Sequence, residues 1–190
     1  MLRKNVFKDR LKWAVQCTNG MERDEFDKKN TKYIYGVNDG EILCGSRVIE
    51  MRRENMLLKT FSSFFEKVEL PEGNYIESTR FFVAKQRVKV LGHGFPLTKI
   101  LFISLINYAR KNRYDGIIAV ASHPMMQIIK HSGWRVTILE TGISEKDEPV
   151  YLMLGHVDEG SQQAIRAAII KDSDLNEAIL DSWPILDSEV

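Results

Sequence analysis

Residues 116–121 read Gly-Ile-Ile-Ala-Val-Ala, without a polar side chain. A strand of that pattern is buried on both faces, so the chain must cover a sheet from both sides. Two helices stand next to it in the sequence. Leu97 to about Lys111, entered through Pro96, carries apolar residues at helical spacing, and Pro124 to Ser132 forms a second helix closed by Gly133.

Upstream, Lys32 to Val37 and Glu41 to Ile49 read as strands joined by Asn38-Asp39-Gly40, whose Asp-Gly pair tolerates the positive φ of a tight turn. Tyr75 to Val83 is strand-like, with a polar interruption at Glu77-Ser78-Thr79-Arg80, and follows a turn at Pro71-Glu72-Gly73-Asn74. Arg3 to Val15 reads as an amphipathic helix, Met21 to Asn30 as an irregular acidic stretch, and Asn55 to Glu66 as a short irregular or helical segment. Downstream, Arg135 to Leu139 and Val150 to Leu154 read as strands, and Ser161 to Ile170 and Leu175 to Leu180 as helices. The order predicts an α/β (α+β) sandwich, a mixed twisted sheet flanked by helices. It also resembles the N-acetyltransferase-like (GNAT-like) fold.

The chain has 190 residues, 44% of them hydrophobic, enough for one domain with a real core. Lys+Arg total 27 and Asp+Glu 26, a net charge of +1, without the strong positive field of a nucleic-acid binder. Cys17 and Cys44 form neither a metal-spacing motif nor a disulfide framework and read as thiols in a reducing cytoplasm. His93, His123, His131 and His156 show no ligand spacing, so no metal is expected. No apolar segment of a signal peptide follows Met1. The longest apolar run, Ile100 to Ile106, is too short to span a membrane. A single cytoplasmic domain without membrane insertion is the expectation.

Four segments fit a purely structural role poorly. Arg3 and Phe7 share a helix face, with Trp13 near the helix end. They are either a surface arginine beside core aromatics or a cationic and aromatic wall for a small charged ligand. The run Met21-Glu22-Arg23-Asp24-Glu25-Phe26-Asp27 is either a solvated loop or a carboxylate cluster for an amine or sulfonium. Arg47 interrupts the apolar strand Ile42 to Ile49, either pointing to water or holding the acidic loop closed. Glu77-Ser78-Thr79-Arg80-Phe81-Phe82-Val83 places a charged pair ahead of aromatics. Such charges guard an edge or line a site at a β-bulge, where freed backbone N–H groups can bind an oxyanion.

Together these segments closely resemble the acyl-homoserine-lactone synthase family, the LuxI-type autoinducer synthases. The resemblance runs from Leu2-Arg3-Lys4 through Asp9-Arg10-Leu11-Lys12-Trp13, Gly20 to Asp27, Ser46-Arg47, Glu77 to Val83, Ser132-Gly133-Trp134 and Val150-Tyr151-Leu152, thinning after about Asp158. The family's invariant positions carry over onto Arg3, Phe7, Trp13, Asp24, Asp27, Arg47, Glu77 and Arg80. Two departures stand out. Family members usually carry a further segment, including a strand, before the first arginine. Ala84 stands where relatives often have an acidic residue.

The resemblance implies acyl transfer from acyl carrier protein to the amine of S-adenosylmethionine, which is a substrate, so no cofactor is expected. Catalysis is expected from Glu77 as base with Arg80, Asp24 and Arg47, and the oxyanion from amides near Phe81 and Phe82. Arg3 could meet the substrate carboxylate, with Phe7 and Trp13 walling the adenosine. Asp24 and Asp27 could meet its positive groups or pin Arg47 and Arg80. Phe102, Leu105, Ala119, Met125 and Met126 are the candidate acyl pocket, and more often such residues are plain core. Arg110, Lys111, Arg113 and Lys130 are the candidate docking surface for an acidic carrier protein. The competing readings are a generic acyl-CoA-dependent acyltransferase, for which Gly92-His93-Gly94-Phe95-Pro96 is a poor phosphate loop, and an inactive carrier-protein- or signal-binding module.

Overall fold

The structure, a computed structural model, describes residues 2–12, 15–29, 31–92 and 94–185. Short strands β1 (Cys17–Thr18) and β2 (Met21–Glu22) pair on their own. The remaining strands are β3 (Lys32–Asn38), β4 (Glu41–Glu50), β5 (Tyr75–Val83), β6 (Gly116–Ser122), β7 (Val136–Ile143) and β8 (Pro149–His156). They form one sheet in the order β3-β4-β5-β6-β8-β7. β5 and β6 run parallel and the other neighbours antiparallel. This mixed sheet, flanked by helices, is the sandwich that the element order predicts.

A parallel pair needs a crossover, and here it is made by α1 (Lys85–Val88) and α2 (Leu97–Lys111). The helices α3 (His123–Ser132), α4 (Glu159–Lys171) and α5 (Glu177–Ser182) follow. α2 begins after Pro96, as its sequence pattern requires, and is buried around most of its circumference. Its first residue, Leu97, reaches Gly36, which pairs with Cys44, which in turn pairs with Val83. The start of α2 therefore lies at the C-terminal end of β5, and its end leads into the start of β6. α3 closes at Gly133 with φ +82, a left-handed stop that favours glycine.

β6 is covered from both sides. Ile117 and Ala121 pack into the helix-side core with Phe102 and Ile106. Ile118 packs into the opposite core with Leu57, Phe65 and Leu152. The β3–β4 hairpin turns through Asp39 at φ +49 and Gly40 at φ +76, the positive pair anticipated from Asp-Gly.

Several local expectations need correcting. The N-terminal helix does not run to Val15: its π-type turns cover Lys4–Arg10, and Lys12 takes φ +56, a conformation no helix continues through. β1 and β2 turn through Asn19 and Gly20, both at positive φ, and β2 opens the stretch read as irregular. α1 was not foreseen, because four residues are too few to show a period. No helix among the described residues is long and apolar enough to cross a membrane.

Candidate active site

Strands β5 and β6 are in register at Tyr75 with Gly116, Ile76 with Ile117 and Glu77 with Ile118, and then part. Beyond that point β5 pairs with β4 and β6 with β8, leaving a wedge between the C-terminal halves of the two central strands. Within this half, β5 carries a bulge. Gly45 pairs with Phe82 and Arg47 with Thr79, so β5 has one residue more than β4 between these pairs. Arg80 takes φ +53, uncommon for a residue with a Cβ.

The bulge resets which side each residue faces. Strict alternation would put Thr79 and Arg80 on opposite faces. Instead Thr79 Oγ1 accepts a hydrogen bond from Arg47 Nε at 3.0 Å, and Arg80 joins the same charged cluster. Phe81 is then returned to the helix side, stacked on Phe102 at 4.9 Å. Phe82 faces the N-terminal segment and meets Phe7 edge-on at 6.4 Å. The bulge leaves Arg80 and Phe81 without partners on β4.

The cluster is a closed ring of six charges. Arg3 binds Glu22 at 2.5 Å and Asp27 at 2.7 Å. Asp27 binds Arg47 at 2.9 Å, and Arg47 binds Asp24 at 2.5 Å. Asp24 binds Arg80 at 2.7 Å, and Arg80 returns to Glu22 at 3.0 Å. Three guanidinium groups alternate with three carboxylates, so the formal charges cancel. That cancellation is what allows the group to be buried, since an unpaired buried charge costs several kcal/mol. Arg47 is 0% exposed and Glu22 3%. The guanidiniums also lie over aromatic rings, Arg47 at 5.7 Å from Phe26 and Arg80 at 5.5 Å from Phe7. Tyr33 donates its hydroxyl proton to Asp27.

The ring holds Arg3, Asp27 and Arg47 in their charged forms. Burial works against the charge of Arg3, but the bonds to Asp27 and Glu22 more than offset it and raise its pKa. Burial likewise pushes Asp27 up, and the bonds from Arg3, Tyr33 and the Asp24 amide bring it well below the usual carboxylate range. For Arg47, burial is outweighed by Asp24 and Asp27, and the pKa is raised.

Glu77 stands beside the ring but outside it. Its carboxylate, 1% exposed, accepts the Met56 amide at 2.9 Å and the Leu57 amide at 2.6 Å. These amides open the helical turn Leu57–Phe61 and have no partner within it, so Glu77 caps that turn from the sheet. Burial pushes its pKa up to about 6, against the pull of the two amides and of Arg47 and Arg80.

The structure thus brings together Arg3, Asp24, Asp27, Arg47, Glu77 and Arg80. Of the paired alternatives, Arg47 holds the acidic loop closed, and Asp24 and Asp27 pin arginines. Arg3 is committed to carboxylates of the chain itself. Phe7 is buried, packed edge-on against Phe82 and under the Arg80 guanidinium. Trp13 lies outside the described residues. Phe102, Leu105 and Met126 are fully buried in the helix-side core, with Ala119 and Met125 partly buried against it. A depression of about 370 Å³ lies elsewhere, between the first turn of α2 and the α3 residues Gln127, Ile128 and His131.

The four cations expected to dock a carrier protein do not form one patch. Arg110 and Lys111 close α2, followed by Arg113, and Arg110 donates to the Val157 carbonyl at 2.9 Å. Lys130 precedes His131, which shares the depression with Thr98 and Lys99 at the other end of α2, roughly 20 Å away by helical rise. Sequence reasoning also missed Glu22. Asp24 and Asp27 had been set against Arg47 and Arg80 alone; with Arg3 drawn into the same cluster, a third carboxylate is needed to balance three guanidiniums, and Glu22 supplies it. Among the described residues, no group of three His, Cys, Asp or Glu side chains is placed to hold a metal ion.

The autoinducer synthase family model matches residues 1–165. An acyl-homoserine-lactone synthase of Pectobacterium carotovorum subsp. carotovorum is 46% identical over 185 residues, covering 97% of this chain and 86% of that protein. Another, from Dickeya dadantii, is 47% identical over 186 residues, covering 97% and 88%. Among solved structures, the CoA-dependent acyl-homoserine lactone synthase BjaI, with SAM and isopentyl-CoA, superposes with a TM-score of 0.77 at 17% identity, covering 88% of this chain and 78% of that one. The family match over residues 1–165 and identities of this size along nearly the whole chain have one explanation: this protein belongs to the autoinducer synthase family, with the acyl-homoserine-lactone synthases.

Proposed function

We propose that the chain joins an acyl group from acyl carrier protein to S-adenosylmethionine and closes the product to an acyl-homoserine lactone. The amine attacks the thioester carbonyl, the C–S bond breaks, and the amide forms as the thiol leaves. The methionine carboxylate then attacks its own γ-carbon, and methylthioadenosine departs. S-adenosylmethionine is consumed as a substrate, and no cofactor enters this reading. The observation that carries it is the neutral ring of charges laid against the bulge where β5 leaves β6.

The chemistry suits that place. The amine must lose a proton before it attacks, and Glu77, raised to about 6, is matched to take it near neutral pH, directly or through water. Backbone amides near Phe81 and Phe82, beside the bulge that leaves Arg80 and Phe81 without partners on β4, are the candidate donors to the developing oxyanion. The BjaI structure with SAM and isopentyl-CoA supports a fold that accepts both kinds of substrate. The test is mass spectrometry of a reaction of the purified chain with S-adenosylmethionine and hexanoyl carrier protein. A lactone and methylthioadenosine in equal amounts are expected. Neither product from folded protein would leave an inactive binding module. Turnover with hexanoyl-CoA alone would assign the other donor.

Docking should depend on the wedge end of the molecule. Lys130 neighbours the depression at the start of α2, whereas Arg113 follows its far end. Lys130→Glu is therefore expected to raise the KM for the carrier protein and steepen nothing for S-adenosylmethionine, with Arg113→Glu the milder change. Measuring both KM values at two salt concentrations checks this, since a docking charge is screened by salt.

Ala119 bears on the acyl group. By family resemblance its position often carries Thr or Ser in enzymes favouring 3-oxo chains. It directly follows Ile118, the last residue of β6 in register with β5, and packs on the helix side. An alanine offers no hydrogen bond, and a buried 3-oxo oxygen left without one costs roughly 1–3 kcal/mol. Unsubstituted butanoyl or hexanoyl lactones are the expected main products. Ala119→Thr should move the ratio toward 3-oxo forms. Side-by-side product profiles decide it, and mostly 3-oxo products from the unaltered chain would refute the argument.

A further inference from the structure

Met56 touches all three of the groups on which the proposed chemistry turns. Its sulfur accepts a hydrogen bond from Arg47 Nη2 at 2.9 Å and one from Arg80 Nη1 at 3.4 Å. Its backbone amide donates to Glu77 Oε2 at 2.9 Å. The residue is 3% exposed and packs with Phe26 and Ile49. We propose that Met56 is a positioning residue, whose thioether sets the direction of the Arg47 and Arg80 guanidiniums and whose amide sets that of Glu77. This rests on the reading of the site given above.

The donor inventory of Arg47 explains why a thioether is needed. A guanidinium has five N–H donors. Nε bonds Thr79, Nη1 bonds Asp24 and Asp27, and Nη2 bonds Asp24 and the Met56 sulfur. Met56 supplies the acceptor for the fifth donor at a place no water reaches, since Arg47 is 0% exposed. A carboxylate there would add a fourth negative charge to a ring that is already neutral. A thioether is a weak, polarizable, uncharged acceptor, so it completes the set without disturbing the balance.

The sulfur is held independently of the ring. The amide of Leu57 is fixed by Glu77, and that of Leu58 by the Asn55 side-chain oxygen at 3.0 Å. The Asn55 amide group donates in turn to the carbonyls of Met51 at 3.1 Å and Arg53 at 2.9 Å. The turn bearing Met56 is thus clamped through its main chain on both sides of the residue. The side chain acts on the arginines from a fixed base.

The test compares Met56→Leu with Met153→Leu in the full chain. Met153 is 1% exposed on β8 and packs in the helix-side core, so it controls for loss of a buried thioether as such. Both variants keep side-chain volume and should fold; the unpaired Arg47 donor should lower the Tm of Met56→Leu, whereas Met153→Leu should keep its Tm. In Met56→Leu the Arg47 and Arg80 side-chain N–H signals in NMR should shift and exchange faster with solvent. The kcat/KM for S-adenosylmethionine should fall roughly tenfold, the size expected for one buried hydrogen bond to a charged group. Met153→Leu should show neither change. Unchanged guanidinium signals, or altered signals with unaltered kinetics, would overturn the proposal. Met56→Ala, if it merely unfolds, counts for core packing alone. Should the unaltered chain make no lactone, the NMR comparison still decides whether Met56 orders the arginines, while the functional reading fails separately.

Discussion

Replacing Arg47 with alanine is expected to destabilise the protein by about 3–5 kcal/mol, because it leaves buried carboxylates without their partner. For a chain of this length that corresponds to a fall in Tm of roughly 10 °C. Arg47 has no exposed surface, and it bridges Asp24 and Asp27, so water cannot replace it without opening the ring. Lactone formation should be lost with it. Adding Asp24→Asn to Arg47→Ala removes one of the stranded charges and should recover part of the loss. The two changes are therefore expected to be non-additive by roughly 1–3 kcal/mol in a double-mutant cycle. Recovery should be incomplete, since Asp24 also holds Arg80 at 2.7 Å. Denaturant unfolding of the two single variants and the double provides the measurement. Strict additivity would show that the ring does not act as a unit.

Glu77→Gln is expected to lower turnover by roughly tenfold or more, since an amide cannot take the amine's proton. Two effects on stability oppose each other. Gln retains one good acceptor, so either the Met56 or the Leu57 amide loses its partner, at about 1–3 kcal/mol. Against this, a carboxylate raised from 4.5 to about 6 is itself unfavourable in its charged form at neutral pH, by about 2 kcal/mol. The balance leaves the fold close to its original stability, so a kinetic defect should stand out from a folding one.

The pH dependence follows with a definite sign. With a raised pKa, Glu77 binds its proton more readily in the folded state. Its contribution to stability is complete below about 4.5 and is lost as pH rises through about 6. Activity runs the other way, because the base must be ionised: kcat/KM should fall as pH drops below about 6. Asp27, held below the ordinary range by Arg3 and Tyr33, stabilises the fold above that range and ceases to do so only in stronger acid. The acid limb of activity should therefore precede acid unfolding, and Glu77→Gln should flatten it. An acid limb of unchanged midpoint in Glu77→Gln would assign the base elsewhere.

Patterns short enough to be read locally determined much of this protein. The apolar run at 116–121 demanded a strand covered on both faces, and Ile117 and Ile118 do enter opposite cores. Pro96, Asp39-Gly40 and Gly133 set their helix start, hairpin turn and helix stop, because proline fixes its own φ and Asp-Gly and Gly tolerate the positive φ these turns need. The resemblance in the acidic run, at Arg47 and around Glu77 was legible because side-chain identity survives in sequence. Pairing was not. Whether Asp24 meets a ligand or an arginine depends on the bulge at Arg80, which turns that residue onto the side of Thr79, and one residue of strand register reverses every such assignment. Glu22 and Met56 were passed over for the same reason. A carboxylate in an acidic loop and a methionine in an apolar turn look ordinary until the chain brings them against Arg3, Arg47 and Arg80. Local propensity and periodicity therefore determined the elements. Only the tertiary structure decided how the charges divide among partners, because burial makes each unpaired charge too costly to leave and so settles the pairing across segments far apart in the chain.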